Sequence, residues 1–191
     1  MDEAGYLDTD QDGIRETRDG QPLEFRLFFN ADYPAHVTMS SMISDWLGQI
    51  GIASVLEGQE EATLWNTVRT LRDYDMAISY YFDPPDPSDV EFYLTCSSAE
   101  EGAYFYNDSG YCSQEMDDLI HSAITKITFS DRVAALMDAT RLVHAELPFI
   151  NLVGDNAIQA YRKDRFVFNE GCPQLAGLYD APTVLSVEVV K

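Results

Sequence analysis

Between residues 23 and 82 the chain switches repeatedly between two hydrophobic periods, and that alternation limits the folds open to it. Leu23, Phe25, Leu27 and Phe29 occupy every second position, which predicts a strand with one apolar face. Residues 34–50 carry Met39, Met42, Ile43, Trp46, Leu47 and Ile50 at three- and four-residue intervals, which predicts a helix with those side chains inward. Pro34 suits the first turn of that helix and Gly51 its end. Residues 52–56 read as a second strand. Residues 60–72 read as a second helix carrying Ala62, Leu64, Trp65, Val68 and Leu71, and the third strand starts at Met76. Strand, helix, strand, helix, strand implies right-handed βαβ crossovers and a parallel component to the sheet, hence an α/β fold. A chain of 191 residues, 46% of them hydrophobic, can enclose one sizeable core, so a single α/β domain over 1–191 is expected.

The third strand ends abruptly. Tyr80, Tyr81 and Phe82 are followed by Asp83-Pro84-Pro85-Asp86-Pro87, where three prolines forbid regular pairing. Ser88-Asp89 can then cap a short helix bearing Val90, Phe92, Tyr93 and Leu94. A stiff turn on a rigid scaffold is a place to build a binding cleft. A carboxylate held beside ring faces suits an ammonium ligand, through charge-assisted bonding to Asp83 and cation–π contact with Tyr80, Tyr81 and Phe82. The competing reading is a structural turn in which Asp86 and Asp89 cap the helix.

Cys96 and Cys112 bracket a polar loop rich in Gly, Ser and Asp, and their spacing suits a disulfide that restrains it. Cys172 is left as a free thiol. Ser113 is placed to cap a helix with Met116, Leu119, Ile120, Ala123, Ile124 and Ile127 inward. Ser130 is placed to cap another, with Val133, Ala134, Leu136, Met137, Thr140, Val143 and Leu147 inward and Pro148 ending it. Short strands are expected over residues 149–153, 157–161, 166–168 and 183–190.

Residues 8–19 read DTDQDGIRETRD. Asp8, Asp10 and Asp12 stand at positions 1, 3 and 5 of a twelve-residue Ca²⁺-type loop, with Gly13 at 6 and Asp19 at 12. Ile14 would offer its backbone carbonyl, and Glu16 would act directly or through water. Position 12 is Asp rather than the longer Glu, and Gly20-Gln21-Pro22 leads into a strand rather than a helix. The pattern is therefore that of an isolated loop holding a structural Ca²⁺. An acidic hairpin built from Asx turns without metal is the alternative.

With 33 acidic against 12 basic side chains the formal charge is −21, which excludes the basic footprint of nucleic-acid binding and disfavours anionic membranes. No apolar run is long enough to span a bilayer, and no signal-peptide pattern opens the chain. The opening MDEAGYLDTD reads as the interior of a longer protein. GxSxG, HExxH, P-loop and GxGxxG motifs are absent. His36, His121 and His144 have no evident nucleophile to serve. A carboxylate-dependent hydrolase would need two of Asp83, Asp86, Asp89 and Glu91 to converge across one cleft. A Ca²⁺-stabilised structural or adhesion module is a further alternative.

Five stretches, in order, resemble the C-terminal lobe of family 5 extracellular solute-binding proteins, the dipeptide- and oligopeptide-binding components of ABC importers. They are EAGYLDTDQDGIRETRDGQPLEF, WLGQIGIASVLEG, YDMAISYYFDPPDPSDVEFYL, YNDSGYCSQEMDDLIHSA and RLVHAELPFINL. The resemblance implies one lobe of a type II periplasmic-binding-protein fold with a mixed sheet. It implies half of a ligand cleft, with the N-terminal lobe and the importer's membrane subunits as partners. It also implies a non-catalytic role, a peptide or other small solute as ligand, and a periplasmic or cell-surface location. In peptide-binding members an Asp in the strand-to-turn segment grips the peptide's α-ammonium, and Asp83 matches it. Many members carry Trp before that turn, where this chain carries Tyr80 and Tyr81. The family often shows DxDxDG at the segment matching Asp8–Asp12, which implies a structural Ca²⁺, and some members pair cysteines as Cys96 and Cys112 would be paired.

Overall fold

The computed structural model describes residues 1–80, 90–100, 107–154, 162, 164–167 and the backbone of 188–189. The chain divides into two compact units. One comprises Met1–Tyr81 with Phe92–Cys112, the other Phe82–Glu91 with Ser113–Lys191.

The first unit is built on β1 (Glu24–Asn30), the centre of a three-stranded sheet ordered β2-β1-β3. Both neighbours, β2 (Ala53–Gln59) and β3 (Met76–Ala77), run parallel to it, with Leu27 opposite Leu56 on one side and Met76 on the other. A parallel strand with neighbours on both sides has two faces to cover, and Leu27, Phe28, Phe29 and Asn30 are all buried. Leu27 and Phe29 join Ile78 in one core cluster, against which Met39 and Ile43 of α1 (Pro34–Gln49) pack. Phe28, on the opposite face, packs with Leu64 and Val68, both fully buried. Burying each of these aliphatic side chains contributes about 1.5–3 kcal/mol. Leu64 belongs to α2 (Glu61–Trp65) and Val68 to the π-helical turn that continues it, Asn66–Leu71. The two crossovers thus lie on opposite faces of the sheet.

Two features of this unit differ from the sequence expectation. The inward face of α1 is set by His36, Met39, Ser40 and Ile43, whereas Met42 and Ile50 are exposed and Trp46 is 55% exposed. The helix is apolar over more than one face, so periodicity does not choose which face meets the sheet. Residues 60–72 are not one α-helix: after Trp65 the backbone widens into the π turn and ends at Arg72, in the left-handed region at φ 51°. The parallel component expected from the strand and helix order is present, since β1, β2 and β3 all run parallel.

The end of α1 is fixed from outside. Gly51 takes φ 80°, and the Arg15 stem lies where a Cβ would sit, 2.7 Å away. Arg15 Nε donates to the Ile50 carbonyl at 2.9 Å, placing a cation at a helix C-terminus. Short helices α3 (Glu91–Leu94) and α4 (Cys96–Ala99) follow. The residues proposed to cap α3, Ser88 and Asp89, lie outside the described residues.

In the second unit α5 (Gln114–Ile124) packs on α6 (Phe129–Glu146), burying Met116, Ile120 and Ala123 from one helix and Leu136 and Ala139 from the other. Ser113 caps α5 as expected, accepting from the Met116 amide. The cap of α6 is Thr128, not Ser130, because the helix begins one residue before Ser130. Val133, Met137 and Leu147, expected inward, are exposed, and Ile127 is 95% exposed in the link between the helices. Residues 149–153 form no strand: Ile150, Leu152 and Val153 find no pairing partner among the described residues. Parts of two expected strands are present, β4 (Phe166–Val167) and β5 (Glu188–Val189), and they pair antiparallel. The strand expected at 157–161 lies outside the described residues.

Candidate functional site

Because β1, β2 and β3 are parallel, their carboxyl ends share one edge of the sheet. The chain leaves β1 toward β2 over one face and reaches β3 over the other. The carboxyl ends of β1 and β3 therefore flank a topological switch point, where open α/β sheets offer a crevice. Three connections deliver side chains to that edge. Tyr33 and His36 follow β1, Glu61 and Trp65 follow β2, and Ser79 and Tyr80 follow β3. Glu60 fixes the second of these by capping α2, its carboxylate accepting from the amides of Thr63 at 2.9 Å and Ala62 at 3.3 Å. The Thr63 hydroxyl, donating to the same carboxylate at 2.8 Å, and then those amide bonds hold the Glu60 carboxyl below its ordinary value. The Ile78 amide fixes the third by donating to the Phe28 carbonyl at 2.8 Å.

These side chains form an aromatic wall. Tyr33 meets buried His36 edge-on at 4.8 Å between ring centroids, and His36 lies 6.2 Å from Tyr80. Trp65 meets Tyr80 edge-on at 5.8 Å. Tyr80 Oη and Trp65 Nε1 both donate to Glu61 Oε1, at 3.0 and 3.3 Å. A carboxylate is thereby presented between two rings, with Tyr80 53% exposed. Of the sequence-predicted contacts, Tyr80 stands on this wall. Tyr81, Phe82 and Asp83 lie outside the described residues, as do Asp86 and Asp89. In the sequence Trp65 belongs to a helix stripe and His36 is a histidine with no nucleophile to serve, while Tyr33 and Glu61 carry no signal of their own. The available signal was positional, since each follows closely on a strand of a parallel sheet.

The acidic loop closes as a hairpin, with Glu16 bridging to Leu7 and Pro22. Carboxylate oxygens of Asp8, Asp10, Asp12 and Glu16 all lie within 4.8 Å of one another. Asx turns shape the loop: Asp8 accepts from the amides of Gln11 and Gly13 at 2.7 and 3.0 Å, and Asp12 from Ile14 at 2.7 Å. Asp19 is not in the converging group, because it lies in the separate tight turn closed by Gly20 N to the Thr17 carbonyl.

Cys96 and Cys112 form the expected disulfide, and Cys172 lies outside the described residues. The segment that the disulfide closes carries buried Asn107 and Asp108. Asp108 is 8% exposed. Its carboxylate accepts from Arg69 Nε at 2.8 Å and from Ser79 Oγ at 2.9 Å, while its carbonyl accepts from Tyr74 Oη. Arg69 also stacks over Trp65, 3.9 Å from the ring centroid, so this polar cluster backs the aromatic wall. Burial and the Asp108 charge push the Tyr74 phenol above its ordinary value of 10.0, against a smaller opposing effect of Arg72. A raised folded-state value stabilises the fold fully below about pH 10, and that contribution is lost as pH rises through the folded value. Tyr74→Phe is therefore expected to lower the urea midpoint at neutral pH by the equivalent of about 1 kcal/mol. It should also flatten the fall in midpoint between about pH 9 and 11. Parallel curves for the parent and the variant would contradict the assignment.

The sequence profile described as bacterial extracellular solute-binding proteins, family 5, middle region, matches residues 1–103. The chain is 24% identical over 137 residues to the peptide transport periplasmic protein SapA of Salmonella typhimurium, covering 69% of this chain and 24% of that protein. Its fold matches the oligopeptide-binding protein AppA of Bacillus subtilis, solved with a nonapeptide. The TM-score is 0.66 at 21% identity, over 77% of this chain and 28% of that one. NikZ of Campylobacter jejuni, solved with Ni(L-His), matches with a TM-score of 0.67 at 18% identity, over 76% and 29%. The chain thus spans about a quarter of the length of these relatives. The solved structures are type II periplasmic binding proteins, which fixes the fold. Matched by the profile over more than half its length, the chain belongs to the family 5 bacterial extracellular solute-binding proteins.

Proposed function

We propose that this chain supplies one side of a ligand cleft in a two-lobed, non-catalytic solute-binding component of an ABC importer, working outside the cytoplasmic membrane. Its ligand is a peptide with a free amino terminus. Tyr80 carries the proposal: it stands on the aromatic wall at the carboxyl edge of the sheet and leads directly to Asp83. Asp83 would take the α-ammonium by charge-assisted hydrogen bonding, with Tyr80, Tyr81 and Phe82 as ring contacts. The peptide class is supported by what SapA and AppA are named for. The other lobe completes the cleft, and membrane subunits of the importer receive the loaded protein. The convergence that a carboxylate-dependent hydrolase would need falls on Asp83, Asp86 and Asp89, which lie outside the described residues, and of that set Glu91 is described.

Titration calorimetry on the full-length two-lobed protein tests this with trialanine and N-acetyl-trialanine. A charged hydrogen bond is worth about 1.5–3 kcal/mol, so acetylation and Asp83→Asn should each weaken binding about tenfold to hundredfold. Equal affinity for both peptides would refute the ammonium site. Binding of Ni(L-His) in preference to either peptide would favour a metal-chelate ligand of the kind NikZ holds.

We also propose that Asp8, Asp10, Asp12 and Glu16 hold a structural Ca²⁺, with the Ile14 carbonyl as a further oxygen. Two oxygens bound to one Ca²⁺ at 2.3–2.6 Å lie no more than about 5 Å apart. The 4.8 Å limit on this group fits that condition, and the ion would offset the repulsion among four carboxylates. Calcium titration should release or absorb heat with the parent chain and none with Asp10→Ala. A parent chain without binding heat would leave the loop as a metal-free Asx hairpin.

A further inference from the structure

Asp108 is a buried residue whose carboxylate and carbonyl are met by side chains from segments far away in sequence. Arg69 is 39 residues distant, Tyr74 is 34 and Ser79 is 29. Two paths lead from it to Tyr80. One runs through Ser79, the residue just before Tyr80 in the chain. The other runs through Arg69, which stacks on Trp65, which in turn meets the Tyr80 ring and shares Glu61 with it. The main chain entering Tyr80 and the wall beside its ring are therefore tied to one carboxylate.

The place of Asp108 is itself fixed. Asn107 Nδ2 donates to the carbonyls of Thr95 at 3.1 Å and Tyr111 at 2.8 Å and to Ser98 Oγ at 3.2 Å, inside the segment closed by the Cys96–Cys112 disulfide. Arg72 Nη2 donates to the Ala99 carbonyl at 2.7 Å, and Gly110, at φ +68°, lets the Arg72 guanidinium approach to 2.9 Å of where a Cβ would lie. Arg69 lies in the π turn and Arg72 caps it. A π turn spaces side chains differently from an α-helix, and here both cations bond to the disulfide-closed segment.

Resting on the proposed function for the importance of Tyr80, we infer that Asp108 is a positioning residue: through Ser79 and through Arg69–Trp65 it sets the strand end that carries Tyr80. Among the described residues the β1–β3 pairing covers Met76 and Ala77 with one further bond from the Ile78 amide to Phe28, and the Ser79 bond to Asp108 comes next along the chain, just before Tyr80.

Amide hydrogen exchange tests this without ligand, so the result does not depend on what the cleft binds. In Asp108→Asn the amides of residues 78–80 should exchange about tenfold faster, while those of residues 25–29 in the β1–β2 ladder keep their parent rates. Ser79→Ala, which leaves the Arg69–Asp108 pair in place, should speed the same three amides by a smaller factor. Acceleration of all the amides by one common factor would make Asp108 a contributor to global stability only and overturn the inference. Unchanged rates at residues 78–80 in both variants would overturn it as well.

Discussion

The first unit depends on covering both faces of β1. A parallel strand with neighbours on both sides cannot present a polar face to water, so Leu27 and Phe29 need one helix and Phe28 another. One crossover supplies α1, and the next supplies α2 with its π turn. That demand fixes the strand order β2-β1-β3, and the order in turn places the carboxyl ends of β1 and β3 side by side. The site residues converge through this arrangement, although Tyr33, Glu61 and Tyr80 are far apart in sequence.

The polar part of the site follows a different logic. A carboxylate as enclosed as Asp108 is costly unless its lone pairs are met, and removing one partner leaves an uncompensated charge. Arg69 and Ser79 meet that requirement at the carboxylate, and Tyr74 bonds the carbonyl of the same residue, all from positions around β3. Such a cluster adds little net stability compared with an apolar packing of the same volume, but its geometry is directional. On the exposed side of the wall, Glu61 is held by two ring donors and faces solvent. The wall therefore carries negative charge on its open side and an ion pair behind it, in a chain of net charge −21.

Patterns that depend on local chemistry were legible in the sequence. The Ser113 cap, the Gly51 stop, the βαβ order and the Cys96–Cys112 pairing all appear in the structure. Patterns set by tertiary choice were not. On α1, Trp46 and Met42 fit an inward stripe as well as Met39 and Ile43 do, and only the sheet decides between them. The π turn at Asn66–Leu71 looks helical in periodicity, because the extra backbone width shows only in hydrogen bonding. Residues 149–153 have a strand's composition, but a strand needs a neighbour. In the site, Tyr80 was legible from its place before the proline-rich stretch. Arg69 and Asp108 were not, since no spacing rule joins residues 39 apart. The acidic loop was legible in its first positions, while Asp19 fell out because the chain turns back at Gly20.

The central claim is that the carboxyl edge between β1 and β3 is a wall of the ligand cleft. A crystal structure of the full-length two-lobed protein grown with trialanine addresses it directly. The account predicts the peptide's amino nitrogen about 2.7–2.9 Å from the Asp83 carboxylate, with Tyr80 against the peptide. A peptide bound elsewhere, with Asp83 turned to solvent and Tyr80 untouched, would contradict it.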